Sequence, residues 1–323
     1  MQKLRFGIIS TGGITEKFVQ CARLVEGAEL LACASRTQEK ADAYAARFEL
    51  PRAYASYEAL YNDPDIDVVY IATPHSRHKE DCLEAIAHGK HIICEKPLTL
   101  TKADNELLFA KAKEAGVFLM EAMWTRFLPT VVKAREWVRT GRIGELRQFT
   151  ASFGFRAEKN PNSRFYSPAL AGGALYDLGV YPLEFLQDFM RPHKPSEIKS
   201  FCVTAPTGVD ETDLLLINYG KAFAQVSCTL GYDINHASFL YGEDGYINFL
   251  PGFQCPRRVE LYQKRTLVEA FDAPSFVGFE FEIAHAVERI RGGYLTSDII
   301  TPEDTIECGE LFDRLLTEWG VRK

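Results

Sequence analysis

The most informative residues of this chain are a glutamate and a lysine that end a short apolar run, Ile93-Cys94-Glu95-Lys96-Pro97. Pro97 ends that run as a strand, because proline has no backbone N–H to give to a neighbouring strand. In an open parallel sheet, ligands bind at the carboxyl ends of the strands. Lys96 could there hold a hydroxyl oxygen or polarise a carbonyl. A surface Glu95–Lys96 pair is the structural alternative, but the coincidence of strand end, dipeptide and proline favours a catalytic role.

A second pair of reactive groups, Asp177 and Tyr181, lies four residues apart in a helix predicted to begin near Gly173. This spacing places both side chains on one helix face. A carboxylate and a phenol displayed together could orient and deprotonate a hydroxyl, which hydride transfer from an alcohol requires. A nearby lysine ammonium would favour the phenolate. Taken alone, the pair is more typical of a buried tyrosine bonded to an aspartate.

The turn after the first predicted strand is an imperfect Gly-x-Gly-x-x-Gly pattern. The pattern by itself is weak, but it follows a strand and opens a helix, as a dinucleotide-binding turn does. Its glycines would let backbone N–H groups approach a pyrophosphate at the positive end of the helix. An ordinary turn between a strand and a helix is the alternative. The candidate cofactor-binding residues here are Ser10, Thr11, Gly12, Gly13 and Ile14.

The end of the second predicted strand should select the cofactor. An acid at this point accepts hydrogen bonds from the ribose of NAD, whereas an arginine accommodates the 2′-phosphate of NADP. The chain has Ser35 and Arg36 here, with no acid before Glu39. Arg36 could pair with the phosphate and Ser35 could donate its hydroxyl. We therefore expect NADP, with NAD less favoured, although a plain surface arginine would give the same pattern.

A further loop, Thr73-Pro74-His75-Ser76-Arg77-His78, follows a continuous apolar strand at its carboxyl end. It should face the ligand crevice. Thr73, Pro74, His75 and His78 are candidate cofactor contacts, with His75 the stronger of the two histidines. Alternatively, Ser76 only caps the next helix and the charged groups are solvated.

The order of predicted elements gives the architecture. Residues 1–122 alternate strand and helix patterns at the spacing of βαβ units, which predicts an α/β domain with a doubly wound parallel sheet. From residue 123 to 323, a linking helix is followed by short strands with period-2 alternation, and two helices close the chain. This pattern predicts an α+β domain with a mostly antiparallel sheet.

Composition excludes several functions. A net charge of −7 offers no footprint for nucleic acid and argues against binding to an anionic membrane surface. No apolar stretch reaches the roughly 20 residues that span a bilayer. The first strand begins too close to Met1 for a signal peptide, and none of the eight cysteines forms a Cys-x-x-Cys pair. We expect a cytoplasmic protein with no metal site.

Together these elements resemble the Gfo/Idh/MocA family of oxidoreductases. The resemblance rests on the glycine-poor first turn, Thr73-Pro74-His75, Glu95-Lys96-Pro97, the run from Gly172 to Tyr181, and Glu121–Phe127. The last of these, with Ser35-Arg36, is similar to the branch of dimeric dihydrodiol dehydrogenases and NADP-dependent D-xylose dehydrogenases. The resemblance to the family covers essentially the whole chain.

The resemblance implies roles for particular residues. Lys96 and Glu95 would lie near the nicotinamide, and Tyr181 would be the catalytic tyrosine, where most of the family has a histidine. Asp177 would support Tyr181, while Trp124 and Arg126 would lie beside nicotinamide or substrate. Pro97 is often cis in the family. The second domain would bind substrate and form a homodimer through an open-faced sheet.

These inferences predict an NADP-dependent oxidoreductase that acts on a secondary alcohol or carbonyl of a sugar, polyol or trans-dihydrodiol. Two alternatives stay open: a non-catalytic NADP sensor, and a lyase or hydrolase that uses transient oxidation. The choice of small-molecule substrate is also open. An apolar slot for a cyclic diol and a core cluster are both compatible with the aromatic residues Trp124, Phe153, Phe155, Phe165 and Tyr166.

Overall fold

The computed structural model describes residues 3–191 and 193–322 and divides the chain into two compact units. The first comprises Met1–Trp124 and Val277–Gly309, and the second comprises Thr125–Phe276 and Glu310–Lys323. The predicted boundary at 122/123 therefore lies two residues from the observed one, but the segment 277–309 belongs to the first unit instead of the second. The physical reason is a helix in this segment, Glu280–Arg291, whose buried face packs against the helix Gly13–Ala22.

The first unit is built from alternating strands and helices. Its elements are β1 (Leu4–Ile9), α1 (Gly13–Ala22), β2 (Ala28–Ala34), α2 (Gln38–Arg47), β3 (Arg52–Tyr54), α3 (Tyr57–Tyr61), β4 (Val68–Ile71), α4 (His78–Ala87), β5 (His91–Glu95), α5 (Lys102–Ala115), β6 (Leu119–Ala122) and, from the later segment, α8 (Glu280–Arg291). In the described part of the chain its strands form one six-stranded parallel sheet in the order β3-β2-β1-β4-β5-β6. The predicted doubly wound sheet is confirmed; β3 and α3 are elements that the periodicity did not indicate.

Local chemistry explains where these elements begin and end. All four residues of β4 are buried, as expected of a strand covered by helices on both faces. The Thr101 hydroxyl accepts the Asp104 N–H at 3.0 Å and starts α5, and Gly116 ends it with a φ of +68° that favours glycine. A loop follows the carboxyl end of each of the strands β1, β4 and β5.

The second unit is dominated by strands. Its elements are α6 (Pro129–Arg139), β7 (Leu146–Gly154), α7 (Val180–Met190), β8 (Glu197–Thr204), β9 (Asp210–Asn218), β10 (Phe223–Thr229), β11 (Ser238–Gly242), β12 (Gly245–Leu250), β13 (Arg258–Gln263) and β14 (Thr266–Asp272). Across the described residues the strand order is β14-β13-β12-β11-β7-β10-β9-β8, antiparallel except for the parallel pair β7–β10. The mostly antiparallel sheet is confirmed. The last helix, α9 (Pro302–Glu318), crosses the boundary between the two assigned segments at residues 309 and 310.

The two faces of this eight-stranded sheet differ. One face packs against α7 and the turn before it, and carries buried residues such as Val226 and Cys228. The opposite face displays apolar side chains on adjacent strands: Phe201 is 66% exposed, Leu216 46% and Phe223 57%. Two tyrosines paired across β12 and β13, Tyr246 and Tyr262, stack at 4.6 Å on the same face. The sheet is therefore covered by helix on one face and open on the other.

Candidate active site

The predicted dinucleotide turn joins β1 to α1 and leaves the helix start accessible. Ser10 takes a φ of +88° and donates its backbone N–H to the Ala34 carbonyl at 3.1 Å. Gly12 is the N-cap residue, and a Cβ on Gly13 would meet no atom within 4 Å. Ile14 is 40% exposed. The open N–H groups at the positive end of α1 fit a pyrophosphate.

The residues expected to select the cofactor lie beside this turn. The Thr11 and Ser35 hydroxyls are 3.3 Å apart, so the turn and the end of β2 are joined by a hydrogen bond. Arg36 is exposed at the end of β2, and Thr37 accepts the Lys40 N–H to start α2. The guanidinium is thus free to reach a phosphate near the turn, and no acid occupies this strand end.

The loop after β4 is held by buried hydrogen bonds. Thr73 donates its hydroxyl to Asp81 at 2.7 Å, and the ring of half-buried His75 lies 5.7 Å from that of His78. His78 is fully buried, with one ring nitrogen 2.8 Å from the Pro97 carbonyl and the other 2.9 Å from the Thr73 carbonyl. The buried His78 ring thus lies between the loop that carries Thr73 and the loop that carries Pro97, and burial lowers its pKa. His78, itself a predicted cofactor contact, is more deeply buried than the other predicted contacts Thr73, Pro74 and His75.

Glu95 and Lys96 stand at the end of β5, as the sequence predicts, and each is 8% exposed. Glu95 accepts a hydrogen bond from the Tyr70 hydroxyl, and the Tyr70 ring stacks on Phe18 at 3.7 Å. The Lys96–Pro97 peptide is cis, as the family resemblance implied. The Glu95 side chain at the strand end is therefore held by a buried tyrosine on the neighbouring strand β4.

Trp124 and Arg126 both follow β6 but belong to different units. Trp124 is 8% exposed, and the Lys17 ammonium lies 3.9 Å from its ring centroid. Arg126 belongs to the second unit, is 1% exposed, and donates its Nε–H to the Glu184 carbonyl at 3.0 Å. Arg126 is thus a buried structural residue of the second unit, and its contact with cofactor or substrate stays a prediction.

A buried carboxyl that the sequence did not indicate, that of Glu282, lies close enough to Glu95 and Lys17 to feel their charges. Glu282 on α8 is fully buried, and neither of its side-chain oxygens has a hydrogen-bond partner among the described residues. Burial raises its pKa well above the usual range, the Glu95 carboxylate adds to the rise, and Lys17 opposes it. No local pattern identifies Glu282, because it occupies an ordinary position on an amphipathic helix.

The second unit places Asp177 and Tyr181 on either side of a change in helix geometry. Residues Leu175–Gly179 form one π turn, and α7 begins at Val180. Asp177 is buried and forms a 2.5 Å ion pair with Arg164, whose side chain is 59% exposed. A π turn within a helix frequently marks a functional site. Arg164 is a partner that helical spacing does not reveal, because it lies in the preceding loop.

Tyr181 is half-buried in an aromatic cluster. Its ring meets Phe153 edge to face at 5.3 Å, and Phe153 also contacts His236 at 4.8 Å and Phe253 at 5.8 Å. His236 donates from Nε2 to the Gly154 carbonyl at 2.7 Å, and its Nδ1 accepts from the Gln254 amide at 3.2 Å. The tyrosine thus has an apolar wall on one side, and His236 is a neighbour that the sequence did not single out.

The other predicted aromatic residues divide between site and core. Tyr166 is 2% exposed and donates its hydroxyl to Glu211 at 2.9 Å. Phe155 and Phe165 pack edge to face at 5.4 Å against the same core cluster. Phe153 has a ring contact with Tyr181 and also packs against this core cluster. The core interpretation therefore holds for Tyr166.

Among the described residues, no group of three or more histidine, cysteine, aspartate or glutamate side chains could hold a metal ion. Among residues 3–191 and 193–322, no helix combines the length and the apolarity needed to cross a membrane.

Known proteins with this fold match the chain along most of its length. Residues 4–123 match the model of an oxidoreductase family with an NAD-binding Rossmann fold, and residues 131–248 match the GFO/IDH/MocA C-terminal domain. The trans-1,2-dihydrobenzene-1,2-diol dehydrogenase of Sus scrofa is 34% identical over 331 residues, which cover 98% of this chain and 97% of that enzyme. The Homo sapiens enzyme of the same name is 30% identical over 327 residues, covering 98% and 97% of the two chains.

Two solved structures show the same fold. A 3-ketoreductase from Actinomadura kijaniata, in complex with NADP and TDP-benzene, is 25% identical with a TM-score of 0.86, covering 98% of each chain. The aldose-aldose oxidoreductase from Caulobacter crescentus, complexed with glycerol, is 24% identical with a TM-score of 0.88 and the same coverage. With the open helix start after β1 and the lysine at the end of β5, these matches show that the chain belongs to the Gfo/Idh/MocA family and is a dehydrogenase that acts on CH–OH groups.

Proposed function

We propose that this dehydrogenase transfers a hydride between NADP and a secondary alcohol carbon, or its carbonyl, in a ring-shaped substrate: a sugar, a cyclic polyol or a trans-dihydrodiol. The observation that carries the proposal is Tyr181, set edge to face against Phe153 one turn after the Asp177–Arg164 pair. A phenol beside an apolar wall and one turn from a fixed ion pair suits a ring with one apolar edge and one hydroxylated edge. The dihydrodiol dehydrogenases named among the relatives act on such a ring.

The proposed proton chemistry uses three side chains. Tyr181 takes the O–H proton when the alcohol is oxidised and returns it when the carbonyl is reduced. Lys96 holds the substrate oxygen and favours the phenolate form of Tyr181. Asp177, fixed by Arg164, orients the hydroxyl. NADP, when bound, accepts the hydride from the same carbon, so the oxidised alcohol loses one hydride and one proton in total.

The preference for NADP rests on the residues beside the first turn. Arg36 is exposed and available for a phosphate, and Ser35 and Thr11 provide hydroxyls in place of the acid that would bind the NAD ribose. Arg36→Ala should lower kcat/KM with NADP at least tenfold and leave kcat/KM with NAD within about twofold. An equal loss with both cofactors would overturn this role for Arg36.

The open face of the eight-stranded sheet supports a homodimer. Phe201, Leu216 and Phe223 form a run of exposed apolar side chains that a monomer rarely displays, and a second copy would cover them. All eight cysteines are free thiols, which is consistent with a cytoplasmic protein. Sedimentation of the wild type beside Phe223→Glu tests the dimer, since a buried charge in that face would shift the protein towards monomer.

Absorbance at 340 nm tests the reaction itself. The protein should be incubated with NADP and, separately, with NAD against pentoses, hexoses, inositols and trans-dihydrodiols. Reduction of NADP with one substrate group supports the proposal and identifies the substrate class. NADPH binding without turnover on any substrate would contradict it and favour a cofactor-dependent sensor. Product formation without net NADPH would indicate transient oxidation instead.

A further inference from the structure

Two buried aspartates lie beneath the start of the helical segment that carries Asp177 and Tyr181. Asp210 and Asp213 on β9 are both fully buried. The Leu175 backbone N–H donates to Asp210 Oδ2 at 2.6 Å. A Cβ on Gly173 would lie 2.1 Å from Asp210 Oδ1, so the backbone approaches this carboxyl more closely than any residue but glycine allows.

The second aspartate reaches the other end of the same turn. In the sheet register, Asp213 lies opposite Cys228 on β10 and Cys202 on β8. The Cys228 thiol donates to Asp213 Oδ2 at 3.3 Å, and a Cβ on Gly179 would lie 3.1 Å from the Cys228 sulfur. Both ends of the π turn Leu175–Gly179 therefore rest on one buried cluster, which we call the acid seat: Asp210, Asp213 and Cys228.

The two acids of the seat are cut off from solvent. Asp210 Oδ1 and Asp213 Oδ1 are buried and have no hydrogen-bond partner among the described residues. Burial raises the pKa of both groups, and the Asp210 charge raises that of Asp213 further. The titratable groups that face the pair are the Cys202 and Cys228 thiols and the Tyr176 phenol, and burial raises the pKa of each of these as well. Both carboxyls therefore keep their protons to a higher pH than exposed carboxyls do.

We propose that Asp210, packed in the seat with Asp213 and Cys228, is a positioning residue that fixes the π turn and thereby the orientation of Asp177 and Tyr181. This inference rests on the proposed roles of those two side chains. A buried ionic group is a costly way to fill a core, since apolar residues of similar volume frequently serve stability as well or better. Here the carboxylate accepts the N–H of Leu175 at the point where the helix starts. A misplacement of about 1 Å in a catalytic group can cost about a hundredfold in rate.

Three variants test the seat. Asp213→Asn keeps the shape of the side chain and leaves the contact between Asp210 and the Leu175 N–H in place, so its kcat should stay within about threefold of the wild type. Asp210→Leu removes the acceptor of the Leu175 N–H, so kcat should fall at least tenfold while the Kd for NADPH is unchanged. Gly173→Ala keeps both acids but forces the backbone away from Asp210, so it should lose kcat in the same way even if Asp210→Leu does not fold.

Hydrogen exchange of the peptide covering residues 173–181 separates this inference from the proposed function. The exchange should quicken in Asp210→Leu and Gly173→Ala and match the wild type in Asp213→Asn. Wild-type exchange and kcat in both Asp210→Leu and Gly173→Ala would overturn the inference. A wild type without hydride transfer on any substrate overturns the proposed function instead, and exchange then still decides whether the seat holds the turn.

Discussion

The strand end that carries Lys96 and the helical segment that carries Tyr181 are stabilised in different ways. Around Lys96, the supporting contacts come from neighbouring strands of one sheet: Tyr70 on β4 bonds Glu95 on β5. Around Tyr181, support comes from a loop and a strand: Arg164 pairs with Asp177, and Phe153 on β7 packs on the tyrosine ring. The first arrangement follows from the register of two neighbouring strands, whereas the second depends on how a loop and a strand pack against a helix.

The difference has a chemical consequence. A lysine at a strand end is positioned by the sheet, so replacing its neighbours should alter stability more than geometry. A tyrosine next to a π turn is positioned by side-chain contacts, so replacing those contacts should alter activity more than stability. The four predictions below compare the two regions, beginning with the largest expected effect.

Removing either reactive group should abolish most of the activity. Tyr181→Phe removes the proton acceptor and Lys96→Met removes the ammonium that holds the oxygen, so kcat should fall about a thousandfold in each. NADPH binding, measured by fluorescence, should persist in both. Tyr232→Phe, at an exposed tyrosine of the same unit, is the control and should behave as the wild type. Near-normal turnover in either active-site variant would remove that residue from the mechanism.

The buried carboxyl of Glu282 should make the free energy of unfolding depend on pH. Its pKa is raised in the folded protein, so between the ordinary and the raised pKa the folded state binds more protons than the unfolded one. Stability is therefore full at acid pH and falls as pH rises, by up to about 1.4 kcal/mol per pH unit.

Glu282→Gln keeps the shape and removes this titration. Urea unfolding from pH 5 to 8 should show a smaller fall in the free energy of unfolding for the variant than for the wild type. Glu288→Gln, at an exposed position of the same helix, should follow the wild type. Parallel pH curves for the wild type and Glu282→Gln would mean that Glu282 is ionised in the folded protein.

Sequence patterns predicted the first region more fully than the second. The strand end at Glu95, the cap at Thr101 and the turn from Ser10 to Gly13 are local features, because each depends on residues close together in the chain. A helix starting near Gly173 was also predictable, but its π turn was not, since a helix pattern does not distinguish these geometries. The periodicity likewise gave no reason to move the segment 277–309 into the first unit.

The partners of the second region lacked any sequence signal. Asp177 and Arg164 are 13 residues apart, and the contact depends on how the intervening loop folds. Asp210 reaches Leu175 across 35 residues. Such pairs are fixed by tertiary packing, so residue type and spacing alone identify the reactive group but not what holds it.

The loop contact at Asp177 should matter for rate. Arg164→Ala removes an ion-pair partner of the buried Asp177 carboxylate, so its orientation should loosen and kcat should fall about tenfold. The thermal midpoint should change little, because Arg164 itself is mostly exposed. Arg156→Ala, at an exposed arginine of the same loop, is the matched control. Equal kcat values for the two variants would show that Asp177 does not depend on Arg164.

The smallest effect is expected beneath Lys96. Tyr70→Phe removes the hydroxyl that donates to Glu95 but keeps the ring that stacks on Phe18, so packing is preserved. Because the buried Glu95 carboxylate then loses the donor on Tyr70, the free energy of unfolding should fall by about 1 kcal/mol. Tyr61→Phe is the control, since the Tyr61 hydroxyl donates over 3.3 Å to a neutral backbone carbonyl and its loss should cost less. If the sheet alone positions Lys96, kcat of Tyr70→Phe stays within about twofold of the wild type while stability drops. A tenfold loss of kcat at unchanged stability would instead make Tyr70 part of the positioning of Lys96, and the two regions would then be held in the same way.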